Sequence, residues 1–268
     1  MRWSRGSPPR AMPFSHRYLG NPLFSFLARH LFRSKIHDVY CGLRGFSRSL
    51  YDRLELRCGG MEFATEMIIK ASFLGARIVE IPITLHPDGR RSHAPHLRTL
   101  RDGWRPLRFF LLFSPRWLFL YPGIFLVLAG LAGYAIAMPG LRIGGVTFDA
   151  HTLLFSSLSI ILGYQSIVFS ILARTYAIHE KWLPPGRDME IFSKYVHLER
   201  GLALGLAALG AGLLLLAAAL IQWRSVHFGH LDYANTMRKV IPGVTLAVVG
   251  YQTILSSFLV GMLGMHRR

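Results

Sequence analysis

Residues Gly201–Gln222, GLALGLAALGAGLLLLAAALIQ, carry no charged side chain over 22 consecutive positions. At about 1.5 Å of rise per residue, a helix of that length crosses the ~30 Å hydrocarbon layer of a bilayer. Three more runs of this kind lie in the same half of the chain, at Trp117–Leu141, Ala150–Ala173 and Val240–Met265. Nothing comparable occurs in the first 115 or so residues, which are dense in Arg and His. The expected architecture is a basic head followed by a four-helix transmembrane bundle.

The charge balance is uneven, with 31 Lys and Arg against 14 Asp and Glu, a formal charge of +17. Such a surplus attracts phosphates. With four spans in the chain, the expected partners are the membrane, anionic lipids and membrane-bound phosphates, and no nucleic acid. The two cysteines, Cys41 and Cys58, give neither a disulfide framework nor a metal-ligand spacing. No apolar core of a signal peptide follows the basic start within thirty residues.

Arg174, Lys181, Arg187, Lys194 and Arg200 lie between the second and third runs, and Arg267 and Arg268 close the chain. By the positive-inside bias these flanks face the cytoplasm, which with an even number of spans puts the head and both termini there. Arg224, Arg238 and Lys239, between the third and fourth runs, work against that bias. An integral protein of a bacterial cytoplasmic membrane is the expectation.

Within the head, Asn21-Pro22 has the form of a helix start, with Leu23, Phe26, Leu27, His30 and Leu31 at helical spacing up to about Arg33. A short helix is expected over Ser47–Leu56 and a longer one from Met61 to Leu74, stopped by Gly75. Val79, Ile81, Ile83 and Leu85 alternate with Glu80, Pro82 and Thr84, the pattern of a half-buried strand that its proline pushes to an edge. Further on, Leu97, Leu100, Trp104, Leu107 and Leu111 form an apolar stripe beside Arg98, Arg101, Arg105 and Arg108. That pattern fits a helix lying in the membrane interface with its arginines toward lipid phosphates, kinked at Pro106.

Five blocks carry a family likeness: MPFSHRYLGNP (Met12–Pro22), HDVYCGLRGFSR (His37–Arg48), GMEFATEMIIKA (Gly60–Ala71), EIPITLHPDGR (Glu80–Arg90) and HLRTLRDGWRPLRFFLLFSPRWLF (His96–Phe119). In order and spacing they resemble the C-terminal part of membrane family 2 glycosyltransferases of the dolichyl-phosphate-mannose synthase type. The resemblance implies a mainly α chain in three parts: the second half of an α/β GT-A-type catalytic domain over 1–93, a basic juxtamembrane helix over 94–116 and the four-span domain over 117–268. It also implies inverting transfer of a sugar from a nucleotide-sugar to a polyprenyl phosphate. By position, Asp38, the catalytic residue the resemblance implies, and Arg44 match the segment near the reacting phosphates, and Arg90 and Arg91 the basic turn over the donor pyrophosphate. Glu62 and Glu66 fall in the helix bordering the acceptor.

The family's nucleotide-binding half, with the Asp-x-Asp that holds Mg or Mn, has no counterpart here. None of the seven aspartates stands two residues from another. The chain alone is therefore expected to be incomplete, without a metal site and inactive. A four-span protein that handles or flips lipid-linked sugars without catalysis is the alternative, against which the sparse polar content of the spans argues.

Overall fold

The computed structural model describes residues 18, 20–32, 34–39, 41–84, 99–180, 182–183 and 198–264. The described residues are mainly helical, and the chain divides into two compact units, 1–114 with 182–184 and 115–181 with 185–268.

The head is built on α1 (Asn21–Phe32), α2 (Arg48–Leu54), α3 (Met61–Phe73) and α4 (Thr99–Leu112). Its core joins Phe24, Ala28 and Phe32 of α1, Ile68 and Ile69 of α3, and Phe109, Phe110 and Phe113 at the end of α4. Phe110 is fully buried and lies 6.0 Å from Phe24 and 5.7 Å from Phe32 between ring centroids. Burying one such ring is worth about 1.5–3 kcal/mol. Trp182, from the stretch that follows the second span, stacks on Phe113 at 5.7 Å, and Leu183 packs on the same core. The helix ends follow local chemistry. Ser47 Oγ accepts from Leu50 N at the start of α2. At the end of α3, Gly75 takes a φ of +65° while Ala76 N reaches back to Ala71 O, as in a Schellman stop.

Two expectations need correction. In α1 the buried apolar residues are Phe24, Ala28 and Phe32, with Leu27 and Leu31 partly buried on the same core, whereas Leu23 and Phe26 are exposed. In α4 Trp104 is 58% exposed, as an apolar stripe facing the membrane interface requires, while Pro106, Phe109 and Phe110 turn inward. Both faces are set by the same cause, since phenylalanines of α1 and α4 find one another and so fix the rotation of each helix. The helix runs through Pro106 as one element. Arg105 and Arg108 are exposed as expected; Arg98 lies outside the described residues, as does the side chain of Arg101. The second correction concerns the α/β character of the head, for among its described residues there is no strand. Residues 76–84 run as irregular chain, with Val79 70% and Ile81 79% exposed. Alternation marks a segment able to be a strand, but a strand exists only when another one satisfies its backbone groups.

The second unit holds four helices long and apolar enough to span a membrane, Arg116–Ala137, Ala150–His179, Leu198–Ser225 and Tyr233–Leu263. The protein is an integral membrane protein. A π-helical turn over Arg116–Leu120 leads into α5 (Tyr121–Ala137), which pairs with α6 (Ala150–His179), while α7 (Leu198–Ser225) pairs with α8 (Tyr233–Gly264). Contacts between α6 and α8 join the two hairpins. The turn between α5 and α6 is a small β-hairpin, β1 (Arg142–Ile143) against β2 (Val146–Thr147), closed by Gly144 and Gly145 at φ +57° and +80°.

Glycines let the paired helices touch backbone to backbone. A Cβ on Gly163 would sit 2.6 Å from Gly123 O, and one on Gly250 would sit 2.7 Å from Gly205 O. Hydroxyls then tie the hairpins together. Thr245 gives its own proton to Ile241 O, so it accepts from Tyr134 of α5, at 2.9 Å, and from Ser157 of α6. Tyr164 donates in the same way to Thr253 at 2.5 Å. At the end of the bundle near β1 and β2, Arg238 pairs with Asp149 at 3.2 Å.

Candidate functional site

The chemistry-bearing residues of the head gather on the loop between α1 and α2 and on the first turns of α3. The loop backbone is fixed by two side chains distant in sequence. Arg44 turns its guanidinium inward, where Nε donates to Cys41 O at 2.9 Å, Nη1 to Ala64 O at 2.6 Å and Nη2 to Val39 O. A planar fork with five N–H donors suits that task, and a lysine could not reproduce it. Glu80 holds the other end of the loop. Its Oε1 accepts from His37 N at 2.8 Å and Asp38 N at 3.0 Å, and its Oε2 lies 2.8 Å from His37 Nδ1. Burial pushes the Glu80 carboxyl up, but these hydrogen bonds outweigh it and hold the group below its ordinary range.

Asp38 is half-buried on this pinned loop. Arg44, matched by resemblance to the reacting phosphates, here binds three carbonyls of its own chain, so its evident work is to shape the loop that carries Asp38. Glu62 lies half-buried in the first turn of α3. Glu66, one turn on, is only 1% exposed. Its carboxylate accepts from Cys58 N at 2.8 Å and Arg57 N at 3.0 Å and pairs with Lys70 Nζ at 2.8 Å, while Lys70 also donates to Glu55 O at 2.7 Å. Burial raises the Glu66 pKa, but the Lys70 ammonium and the two backbone N–H groups bring it below the ordinary value. The neighbouring Cys58 thiol is pushed up to about 11, by burial first and then by the Glu66 charge. Arg90 and Arg91 lie outside the described residues.

The structure thus brings Asp38, Arg44 and the start of α3 together, and it adds two residues that sequence reasoning did not single out, His37 and Glu80. The signal for Glu80 was present, since it is the one charged residue in the alternating segment Val79–Leu85. Among the described residues no three His, Cys, Asp or Glu side chains come together as metal ligands. The divalent metal implied by resemblance has no fitting donor set among the described residues.

Residues 171–264 match the family 2 glycosyltransferase C-terminal transmembrane region. Together with the similarity that follows, this likens the chain to the C-terminal part of membrane glycosyltransferases of family 2. Over 261 residues it is 32% identical to the low-salt glycan biosynthesis hexosyltransferase Agl6 of Haloferax volcanii. That alignment covers 96% of this chain and 60% of the relative, so the chain spans about three fifths of the length of the protein it matches. No solved structure matches it.

Proposed function

We propose that this chain is the acceptor-side and membrane portion of a glycosyltransferase that moves a hexose from a nucleotide-sugar to a polyprenyl phosphate. The observation that carries the reading is the similarity of nearly the whole chain to a hexosyltransferase, joined to a head whose pinned loop presents Asp38 on a membrane-anchored scaffold. In this reaction a phosphate oxygen of the lipid attacks the anomeric carbon. The bond from that carbon to the nucleotide diphosphate breaks, and the diphosphate leaves with the electron pair. Because the nucleophile is already an anion, the site needs cationic and hydrogen-bonding groups more than a strong base. Arg44 fixes the loop beside the reacting phosphates on which Asp38 is the catalytic residue, Glu62 borders the acceptor side, and Arg90 and Arg91 close over the donor pyrophosphate.

The exposed Arg105 and Arg108 rest on anionic lipid, with the exposed Trp104 and Leu112 as their apolar neighbours. The head and both termini face the cytoplasm. This orientation is supported by the loop charges. The nucleotide-binding portion, with its metal, comes from polypeptide outside these 268 residues.

The test is transfer of radiolabelled hexose into the lipid fraction of membranes supplied with polyprenyl phosphate. The chain by itself is expected to be inactive, and joining it to the nucleotide-binding portion is expected to give metal-dependent transfer. Transfer by the 268 residues alone would refute the division of labour. Failure of the joined protein with every common nucleotide-sugar would refute the transferase reading.

A further inference from the structure

Glu80 does more than join two surface segments. An exposed ion pair is ordinarily worth 0–1 kcal/mol because two long side chains must be held still for it. Here one carboxylate accepts from two consecutive backbone N–H groups and from a ring nitrogen of the first of those residues. The backbone donors cannot swing away, so the carboxylate is fixed and in turn fixes the ring. An ionised carboxylate only accepts, and Glu80 is held in that form, which places the ring proton of His37 on Nδ1. The other nitrogen, Nε2, makes no hydrogen bond among the described residues, and the His37 side chain is 54% exposed. The arrangement is that of an oriented imidazole backed by a carboxylate, on the residue next to Asp38.

We propose that His37 is a phosphate-contacting residue of the acceptor site, with Glu80 as its positioning residue. This rests on the function proposed above and deepens it by naming the residue that meets the phosphate monoester of the acceptor. An imidazole held by Nδ1 suits such a group in either protonation state. Neutral, Nε2 accepts from the P–OH of a monoanion; charged, it donates to a P–O⁻ oxygen. A nucleotide-sugar donor, in which each phosphorus carries one ester and one anhydride link, also offers P–O⁻ oxygens but carries no P–OH. The test therefore separates the two sources.

Binding is measured on the 268-residue chain in detergent micelles, with farnesyl phosphate as the monoester probe, farnesol as the phosphate-free probe and UDP-glucose as the diphosphate probe. Imidazole ¹⁵N shifts are recorded alongside. Farnesyl phosphate is expected to bind more tightly than farnesol and to move the His37 Nε2 resonance. His37→Phe, which keeps a ring without nitrogens, is expected to weaken farnesyl phosphate about tenfold, or ~1.4 kcal/mol, and to leave farnesol unchanged. His37→Gln, whose amide reaches toward the Nε2 position, is expected to recover part of that loss. Glu80→Gln is expected to weaken farnesyl phosphate in the natural background and to add nothing in the His37→Phe background, the mark of a residue acting through His37.

If the natural chain prefers farnesyl phosphate to farnesol and His37→Phe binds it equally well, the role of His37 is refuted while the acceptor reading stands. The same holds if His37→Phe affects UDP-glucose alone. If the natural chain does not distinguish farnesyl phosphate from farnesol, both fall.

Discussion

Replacing Glu66 by alanine separates a structural carboxylate from one that serves a substrate. The side chain is buried in the head, and its removal leaves two kinds of group stranded. The Lys70 ammonium, 8% exposed in its side chain, keeps only Glu55 O, and the N–H groups of Arg57 and Cys58 lose their acceptor. Removing one member of a buried pair costs about 3–5 kcal/mol, because the partner charge remains without its counter-ion. The gain in helix propensity from alanine returns only a few tenths.

In a unit of this size each kcal/mol corresponds to about 4–8 °C in Tm, so Glu66→Ala is expected to lower the melting of the head by more than about 10 °C. The assay is thermal unfolding in detergent, followed by proteolysis of the head while the bundle stays helical. Lys70→Met should cost less, since Glu66 would still hold two backbone donors. The Glu66→Leu, Lys70→Met pair should stay about 1–3 kcal/mol below the natural chain, as its N–H groups remain unsatisfied. The pH dependence has a defined sign. With its folded pKa below the unfolded one, Glu66 stabilises fully above about pH 4.3 and loses that contribution as pH falls through the depressed folded value. Glu66→Ala should lack this part of the acid transition. A melting loss equivalent to under 1 kcal/mol, combined with weakened phosphate-lipid binding, would refute the structural role and return Glu66 to the substrate site.

Cys58, its thiol raised to about 11, should alkylate with iodoacetamide at pH 8 far more slowly than an ordinary thiol, and Glu66→Gln should speed it; equal rates would contradict the burial and charge assigned to it. Gly163→Leu is expected to force α5 and α6 apart and destabilise the bundle by about 1–3 kcal/mol in SDS-driven unfolding, whereas Gly210→Leu, at a position with open space, should be nearly neutral. For topology, in a background with Cys41 and Cys58 replaced by serine, a membrane-impermeant maleimide should label Thr147→Cys in intact cells and Arg53→Cys only after permeabilisation. The reverse pattern would invert the orientation.

The spans were legible because nothing else explains four long uncharged runs, and the ends of α1 and α3 because Asn-Pro and glycine act locally. Which face of α1 and α4 turns inward was not legible, since Leu23 and Phe26 are as apolar as Phe24 and Phe32; only the phenylalanine cluster shared with α4 selects between them. The internal occupation of Arg44 and Glu66 was hidden for a related reason. Their partners are backbone groups as much as 20 positions away, which no motif spells out. Residues 77–84 make the same point at the level of a fold. Their alternation is that of a strand, and Glu80 locks the segment to the loop of Asp38, yet Val79 and Ile81 lie open. A pattern encodes what a segment can pair with, and the pairing itself needs a neighbouring strand, which the described residues of the head do not provide. If the nucleotide-binding portion docks there, joining it should protect the amides of residues 77–84 from hydrogen exchange and should do so without disturbing Glu80, whose carboxylate already holds the register of the segment against His37 and Asp38.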